Sequence, residues 1–365
     1  MIALLRLTVV GVVAVSLAAA EAQQVRIDSL NACGRNAEPY FEGDIRDRPC
    51  NPAFERIYRP RYSGLGYEIL DIESGACFVP DAAYQQLDAI IDRVKAEVDR
   101  LKLDTRKPTR QLVLKISELT SKALRDLGYG LQVPTLTLAD TLLKQPGAAA
   151  DQLPFMFDCD TGSMILLTIA EQYGLPAALV ETTLSSGSQH NIVAWTLASA
   201  PLIYWDMNEQ RECRLSPPET RAWEDRPMSR DEVFAYVLRI RAITWRRIGQ
   251  QVRALPDLEK AMQLAPNEPD VLNAFAWLIA SANLPGRERY MEPALQAAKT
   301  AVEINPVPFT HDTLACVYAL MADYDMAVKT QRIAVSLAED DDKADYQDRI
   351  DDRFRHYAPM NCTGQ

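Results

Sequence analysis

Apolar and polar residues follow one another with a period that changes along the chain. Residues 23–83 show no sustained period, which predicts an irregular segment with turns and short strands. From Tyr84 the period is helical, and a second helical stretch stops at Gly128. A third, short helix is predicted from Leu138, with Thr137 as its cap. The face of the first helix comprises Leu87, Ile90, Ile91, Val94, Val98 and Leu101.

A further helix is predicted in the stretch DCDTGSMILLTIAEQYGLP. Cys159 stands at its start, Asp158 has the side chain of a typical N-cap, and Gly174 and Pro176 mark its end. The unpaired N–H groups at a helix start favour an anion, so Cys159 is a candidate nucleophile. The alternative is that Cys159 is a small buried residue, which is the commoner situation for a lone cysteine on a helix.

After Pro176 the apolar period becomes two, which is typical of strands. Segments 178–181, 190–195 and 201–206 are rich in Val, Ile, Tyr and Trp, and the short link between the last two predicts a hairpin. A hairpin centred near Ala198 would place His190 directly opposite Asp206, with Cβ atoms about 5 Å apart. This prediction depends on the register, because a slip of one residue moves a side chain to the other face.

The second half of the chain contains an internal repeat. Residues 213–230 are broken by prolines and predict a linker, after which Ser229 and Glu232 have the spacing of a capping box. Residues 231–340 then divide into about three helix-turn-helix units of about 34 residues, with an insertion at residues 283–288. Small residues recur where two helices must cross closely: Ala242, Gly249, Ala254, Ala261, Ala276, Ala294, Ala301, Ala315, Ala327 and Ala334. Residues 341–365 form a charged cap or tail.

The N-terminus has the pattern of a secretory signal peptide. Residues 1–22 hold one base, Arg6, in an otherwise apolar run, followed by an A-x-A cleavage pattern at residues 20–22. We therefore expect a periplasmic or secreted protein; the alternative is an uncleaved membrane anchor. No later segment is apolar for long enough to span a bilayer. The net charge of -11 argues against nucleic acid as a partner.

Export changes how the seven cysteines are interpreted. Cys33 and Cys50 flank a polar segment with little helical pattern, and such a segment needs a covalent constraint. A disulfide between Cys33 and Cys50 is the first hypothesis. An odd number of cysteines leaves at least one thiol unpaired unless two chains are linked, and parity alone does not say which one.

Cys159, His190 and Asp206 have the residue types and the order of a catalytic triad. A cysteine attacks as the thiolate, a histidine takes its proton and later returns it, and a carboxylate fixes the histidine tautomer. Asp158 and Asp160 oppose a low thiol pKa, so the histidine would have to dominate. The same three residues lack metal-ligand spacing, so no metal or other cofactor is predicted.

Residues 136–206 resemble the transglutaminase-like branch of the papain-like superfamily. The segments TLADTLLKQ, DCDTGSMILLTIAEQYGLP, SQHNIVAW and YWD follow the order of that family. The resemblance implies an α+β domain over residues 84–212, in which the cysteine helix packs on an antiparallel sheet. It assigns the nucleophile to Cys159, the base to His190 and the orienting carboxylate to Asp206. The family's oxyanion donor lies upstream of the cysteine, where Gln152 is the nearest amide.

The repeats resemble tetratricopeptide repeats, which implies an all-α solenoid after the first domain. Two functions follow from the resemblances. One is an exported amide hydrolase or acyl transferase whose repeats recruit a protein or peptide in a concave groove. The other is a binding scaffold, in which the transglutaminase-like domain is inert and the repeats mediate assembly.

Overall fold

The protein is a mixed α+β chain with a small antiparallel sheet, as seen in a computed structural model. The described residues fall into two compact units, 57–271 and 272–350, which are treated separately below. The structure describes residues 57–75, 79–131, 137–144, 153–183, 189–198, 201–214, 226–247, 249–339, 343–344, 346–347 and 350. The proposed signal peptide, the pair Cys33 and Cys50, and Gln152 lie outside this set. No helix within it is both long and apolar enough to span a membrane.

Helices form the first part of the first unit: α1 (Leu65–Ser74), α2 (Asp81–Arg100), α3 (Arg110–Asp126) and α4 (Leu138–Leu142). Helices α2, α3 and α4 lie where the apolar period predicts them. The Thr137 hydroxyl accepts the N–H of Asp140 and caps α4 as predicted. Leu101, in contrast, is exposed, because it follows the last turn of α2 rather than facing the core.

The prediction of an irregular segment at residues 23–83 is wrong for α1. This helix buries Leu65, Ile69 and Leu70, but it is only ten residues long, so its apolar face repeats too few times to give a clear period. The backbone N–H of Gly66 donates to the Thr168 hydroxyl at 2.9 Å, which anchors the start of α1 on the cysteine helix.

A buried carboxylate anchors the segment before α1. Asp88 of α2 accepts hydrogen bonds from the hydroxyls of Tyr58 and Tyr67, both at 2.5 Å, and from the backbone N–H of Arg61 at 2.9 Å. Burial alone would raise the Asp88 pKa, but these donors outweigh it and hold the pKa below its ordinary value. The segment therefore packs against α2 through an ionised, fully bonded carboxylate.

Two sheets surround the cysteine helix α5 (Cys159–Gln172). Strands β1 (Tyr129–Leu131) and β2 (Phe155–Phe157) pair in parallel, and β2 leads directly into α5. The second sheet is antiparallel and contains β3 (Ala177–Thr183), β4 (Gln189–Trp195), β5 (Ile203–Asp206) and β6 (Arg211–Cys213) in that order. β6 crosses the predicted boundary between the domain 84–212 and the linker 213–230, and it was not predicted.

The register of the β4–β5 hairpin differs from the prediction by two residues. Val193 pairs with Trp205 and Trp195 pairs with Ile203, so His190 is not directly opposite Asp206. The strand begins at Ile203 rather than Pro201, opposite Trp195, which is the last residue of β4. A shift of two residues keeps side chains on the same face, and His190 and Asp206 therefore remain neighbours along a diagonal.

The first two helices of the predicted repeat region belong to the first unit. They are α6 (Arg230–Arg247) and α7 (Gln251–Leu264), which pack against each other, and α6 also packs on α1. The predicted capping box is present at the start of α6: Ser229 N donates to Glu232 Oε2 at 2.8 Å, and Glu232 N donates to Ser229 Oγ at 3.2 Å. The units divide between Val271 and Leu272, later than the predicted linker.

The second unit is helical in its described part. α8 (Pro269–Ser281) enters it and is followed by a 3₁₀ turn (Arg287–Tyr290), α9 (Met291–Ile304), α10 (Pro308–Leu320) and α11 (Tyr324–Leu337). The long connection between α8 and α9 contains the insertion predicted at residues 283–288. The alanines expected at close helix crossings are buried throughout the region: Ala242, Ala254, Ala261, Ala276, Ala294, Ala301, Ala315, Ala327 and Ala334.

Candidate functional site

Cys159 is the first residue of α5, immediately after its N-cap. The Asp158 carboxylate accepts the N–H of Thr161 at 3.0 Å, and the Thr161 hydroxyl accepts the N–H of Asp158 at 3.2 Å, so the helix start is fixed by a reciprocal cap. The predicted N-cap role of Asp158 is confirmed. Cys159 itself is half-buried, and it follows directly from the short strand β2.

His190 and Asp206 form a buried pair on the antiparallel sheet. His190 Nε2 lies 2.9 Å from Asp206 Oδ2, and both side chains are about nine-tenths buried. Asp206 Oδ1 also accepts the backbone N–H groups of Asn208 and Glu209, at 2.8 and 3.1 Å. Burial would raise the Asp206 pKa, but His190 and the two N–H groups lower it below its ordinary value. Asp206 is therefore an anion, and its hydrogen bond to Nε2 fixes the orientation of the His190 ring.

The cysteine helix lies against the strand that bears His190. The backbone N–H of Asn191, the residue after His190, interacts with the Cys159 thiol and favours its anion. The pairing of His190 with Asp206 through Nε2 leaves Nδ1 as the ring nitrogen for a second partner. His190 and Asp206 are thus paired as the sequence predicts, whereas the contacts seen for the Cys159 thiol are with Asp160 and the N–H of Asn191.

Asp160 is the centre of a second set of contacts that the sequence did not predict. Its Oδ1 lies 3.3 Å from the Cys159 sulfur and also accepts the side-chain amide of Asn191, while its Oδ2 accepts the Tyr236 hydroxyl. Asp160, Asn191 and Tyr236 are all buried. The neutral thiol donates a hydrogen bond to a carboxylate that two other side chains hold in place.

These surroundings oppose ionisation of the thiol in the observed arrangement. Burial raises the pKa of Cys159 well above its ordinary value, and the negative charges of Asp160 and Asp158 raise it further. The N–H of Asn191 works in the opposite direction but does not balance them. The thiol is therefore neutral here, and it requires a positive or proton-accepting partner to become a nucleophile.

The residues near Asp160 in the sequence do not predict its contacts with Asn191 and Tyr236. Asn191 is a polar residue next to the apolar half of its strand, which is a signal for a buried partner, but it does not identify that partner. Tyr236 lies on α6, inside the region predicted as repeats, and nothing near it in the chain points to the cysteine helix. Gln152, the proposed oxyanion donor, lies outside the described residues and has no structural placement.

A separate acidic cluster is the described group best suited to hold a cation. Carboxylate oxygens of Glu181, Glu268 and Asp270 lie within 4.8 Å of one another. Burial and the nearby Asp270 raise the pKa of Glu268 to about 7, and the same two causes raise the pKa of Glu181 above its ordinary value. The sequence predicts no metal site anywhere in the chain, and nothing in it links these three acids, which come from distant segments.

Comparison with known proteins does not identify the chain. A scan against protein-family models gives no match, and a search of curated proteins gives none either.

Proposed function

We propose that the protein is an exported, cysteine-dependent amide hydrolase of the transglutaminase-like type, with tetratricopeptide-like repeats that recruit a protein or peptide. The observation that carries this proposal is the buried pair of His190 Nε2 and Asp206 Oδ2, 2.9 Å apart, on a strand whose next residue contacts the Cys159 thiol. A buried, hydrogen-bonded histidine and carboxylate beside a helix-start cysteine is the arrangement that a nucleophile and its base require.

In the proposed reaction the Cys159 sulfur attacks an amide carbonyl carbon and its proton passes to His190. His190 then donates that proton to the leaving amine as the carbon–nitrogen bond breaks and a thioester remains. Water, deprotonated by His190, attacks the thioester and releases the carboxylic acid, which restores the thiol. Asp206 fixes the imidazole and stabilises its charged form throughout. Hydrolysis is favoured over transfer because water needs no separate amine site.

The hydrogen bond from the Cys159 thiol to Asp160 must break before the reaction begins. The thiol proton points to Asp160 in the observed arrangement, so the sulfur must rotate about its Cα–Cβ bond toward His190 before it ionises. Such rotamer changes are fast and small compared with the chemical step. In this proposal the repeats hold the substrate, a role supported by their paired helices with buried alanines at the crossings.

The test is the rate at which iodoacetamide labels Cys159, followed by mass spectrometry of the labelled peptide across neutral pH. We expect His190→Ala to slow labelling near pH 7 by about tenfold or more, because the thiolate loses its proton acceptor. Cys159→Ala serves as the control for labelling at other cysteines. A rate that is unchanged by His190→Ala, and that rises only well above the ordinary thiol range, would contradict the proposal.

The second candidate function is a binding scaffold with an inert cysteine. The specific observation in its favour is the raised pKa of Cys159 together with the hydrogen bond from its thiol to Asp160. On this reading Cys159, Asp160, Asn191 and Tyr236 form a structural polar cluster beneath α6. The labelling experiment separates the two candidates, because a structural thiol reacts slowly whatever residue occupies position 190.

A further inference from the structure

Three carboxylates from distant parts of the sequence converge in the first unit. Glu181 comes from β3, Glu268 from the turn before α8, and Asp270 from the first turn of α8. One oxygen of each lies within 4.8 Å of the other two. Glu181 and Asp270 are more than nine-tenths buried, and Glu268 is half-buried. Like charges held this closely repel one another strongly when they are removed from water.

One cation forms an ion pair with the cluster among the described residues. Arg239 Nη1 lies 3.7 Å from Asp270 Oδ2, which is a long contact, and its guanidinium carbon also lies 5.0 Å from the centre of the Tyr236 ring. Arg226, the other arginine nearby, is paired with Glu232. Among the described residues, Arg239 is thus the only cation within ion-pair distance of the cluster, and the ion pair seen is with Asp270.

Glu181 gives an independent indication that a ligand belongs here. Its side chain is 95% buried, with 5% of the residue exposed, yet no hydrogen-bond donor or ion-pair partner reaches its carboxylate in the described part of the chain. Buried carboxylates in proteins are nearly always hydrogen-bonded, paired or bound to a metal. The Glu181 carboxylate points instead to the oxygens of Glu268 and Asp270.

We propose that Glu181, Glu268 and Asp270 form a binding site for a calcium ion. The ligand set is oxygen only, which suits hard divalent cations and disfavours zinc or copper, since no histidine or cysteine takes part. Calcium accepts six to eight oxygen ligands in a flexible geometry, and carboxylates are among its commonest protein ligands. Magnesium usually keeps several waters and binds through only one or two carboxylates, so a cluster of three carboxylates favours calcium.

The ion would join the sheet to the helical part of the same unit. Glu181 lies directly opposite Asn191 in the β3–β4 ladder, and Asn191 donates to Asp160. Arg239 lies against Tyr236, which also donates to Asp160. Calcium at the cluster would therefore stabilise the layer of residues behind the cysteine. The inference concerns binding of the ion alone and does not depend on Cys159 being catalytic.

The experiment is calorimetric titration of calcium chloride into the full chain, purified with a chelator that is then removed. We expect one ion per chain with a dissociation constant on the order of 10⁻⁴–10⁻³ M. Glu181→Gln, which keeps the shape and removes the charge, should weaken binding at least tenfold, and Glu268→Gln should also weaken it. Glu259→Gln, at an exposed position on α7, is the matched control and should leave binding unchanged.

Circular dichroism on each variant establishes that it is folded before titration. The proposal is overturned if the wild type shows no saturable heat up to about 10 mM calcium, or if Glu181→Gln and Glu268→Gln bind as tightly as the wild type. If calcium does not bind and both variants unfold at a higher temperature than the wild type, then a proton shared among the carboxylates reduces their repulsion, and the proposal is wrong. Should Glu181→Gln fail to fold, Glu268→Gln alone decides the result.

Discussion

His190 and Asp206 meet diagonally across two neighbouring strands, with 2.9 Å between Nε2 and Oδ2. Continued by one residue from the pair Val193–Trp205, the register puts position 192 opposite Asp206, so the imidazole reaches two positions along β4 to the carboxylate. A diagonal neighbour lies farther away than a direct one, and only a long side chain spans the gap. Histidine has that length, and the pair is thereby kept at the end of the strand, next to the start of α5.

The first prediction concerns the strength of this pair. In a double-mutant cycle with His190→Ala and Asp206→Ala, we expect a coupling free energy of about 1.5–3 kcal/mol, because the hydrogen bond is buried and has a charged acceptor. Urea unfolding of the four proteins measures it. A cycle of His190→Ala with Glu259→Ala, at an exposed and separate site, should give coupling near zero. Equal coupling in both cycles would contradict the pair's contribution.

The second prediction concerns the acidity of the thiol. Asp160→Asn removes the negative charge that lies 3.3 Å from the Cys159 sulfur, so the pKa of Cys159 should fall. Labelling by iodoacetamide at a pH near 8 should then accelerate by about tenfold for each unit by which the pKa falls. Asp231→Asn, an exposed change at the start of α6, is the control and should have no effect. An unchanged rate in a folded Asp160→Asn protein would contradict the electrostatic explanation.

The parts of the fold that the sequence predicts are those with a long local pattern. Helix α2 repeats its apolar face over twenty residues, and the alanines of the helix pairs recur at a fixed spacing. Caps are equally local: Thr137, Asp158 and Ser229 each bond to a residue three positions away. Such features depend on neighbours in the chain, so they are visible before the tertiary structure is known.

The rest depends on contacts between distant residues. The predicted hairpin register was wrong by two residues. An alternating apolar pattern shows which face a side chain takes, but it does not determine which residues of the two strands pair. The Asp160 contacts join residues 31 and 76 positions apart along the chain. Side chains alternate between the two faces of a strand, so an error of two residues does not move a side chain to the other face. The sequence therefore still predicted that His190 and Asp206 are close to each other.

The third prediction concerns stability in acid. Hydrogen bonds from Arg226, and then from Ser229, outweigh burial and lower the pKa of Glu232 from its ordinary value of 4.5 to about 2. A depressed pKa stabilises the folded state above pH 4.5 and loses this effect as the pH falls toward 2. Glu232→Gln should therefore cost about 1–2 kcal/mol near neutral pH, a figure reduced for the partial exposure of Arg226.

Unfolding in urea between neutral pH and pH 3 checks this sign. The difference in the free energy of unfolding between wild type and Glu232→Gln should shrink as the pH falls below 4.5. Glu259→Gln, which changes an exposed carboxylate, should show no comparable trend. A difference that stays constant or grows in acid would mean that the Glu232 charge is not what stabilises the start of α6.

The last prediction concerns the packing of α5 against Phe157 and Met207. A Cβ added at Gly162 would lie 2.8 Å from the ring of Phe157 and 3.1 Å from the Cβ of Met207, and both neighbours are buried. Alanine favours a helix by about 0.5–1 kcal/mol over glycine, but overpacking costs about 1–3 kcal/mol. Gly162→Ala should therefore destabilise the protein by about 1–2 kcal/mol in urea unfolding, and it should change Cys159 labelling because the helix start is displaced.

Ser163→Ala is the matched control for this change. It lies one residue farther along α5, adds no volume, and removes a buried hydroxyl that has no hydrogen-bond partner in the described structure. We expect it to be neutral or slightly stabilising. If Gly162→Ala were as stable as Ser163→Ala, the close contact between α5 and Phe157 would not be what fixes the position of Cys159. The position of the helix start would then depend on the Asp158 cap and the contact of Asp160 with Asn191.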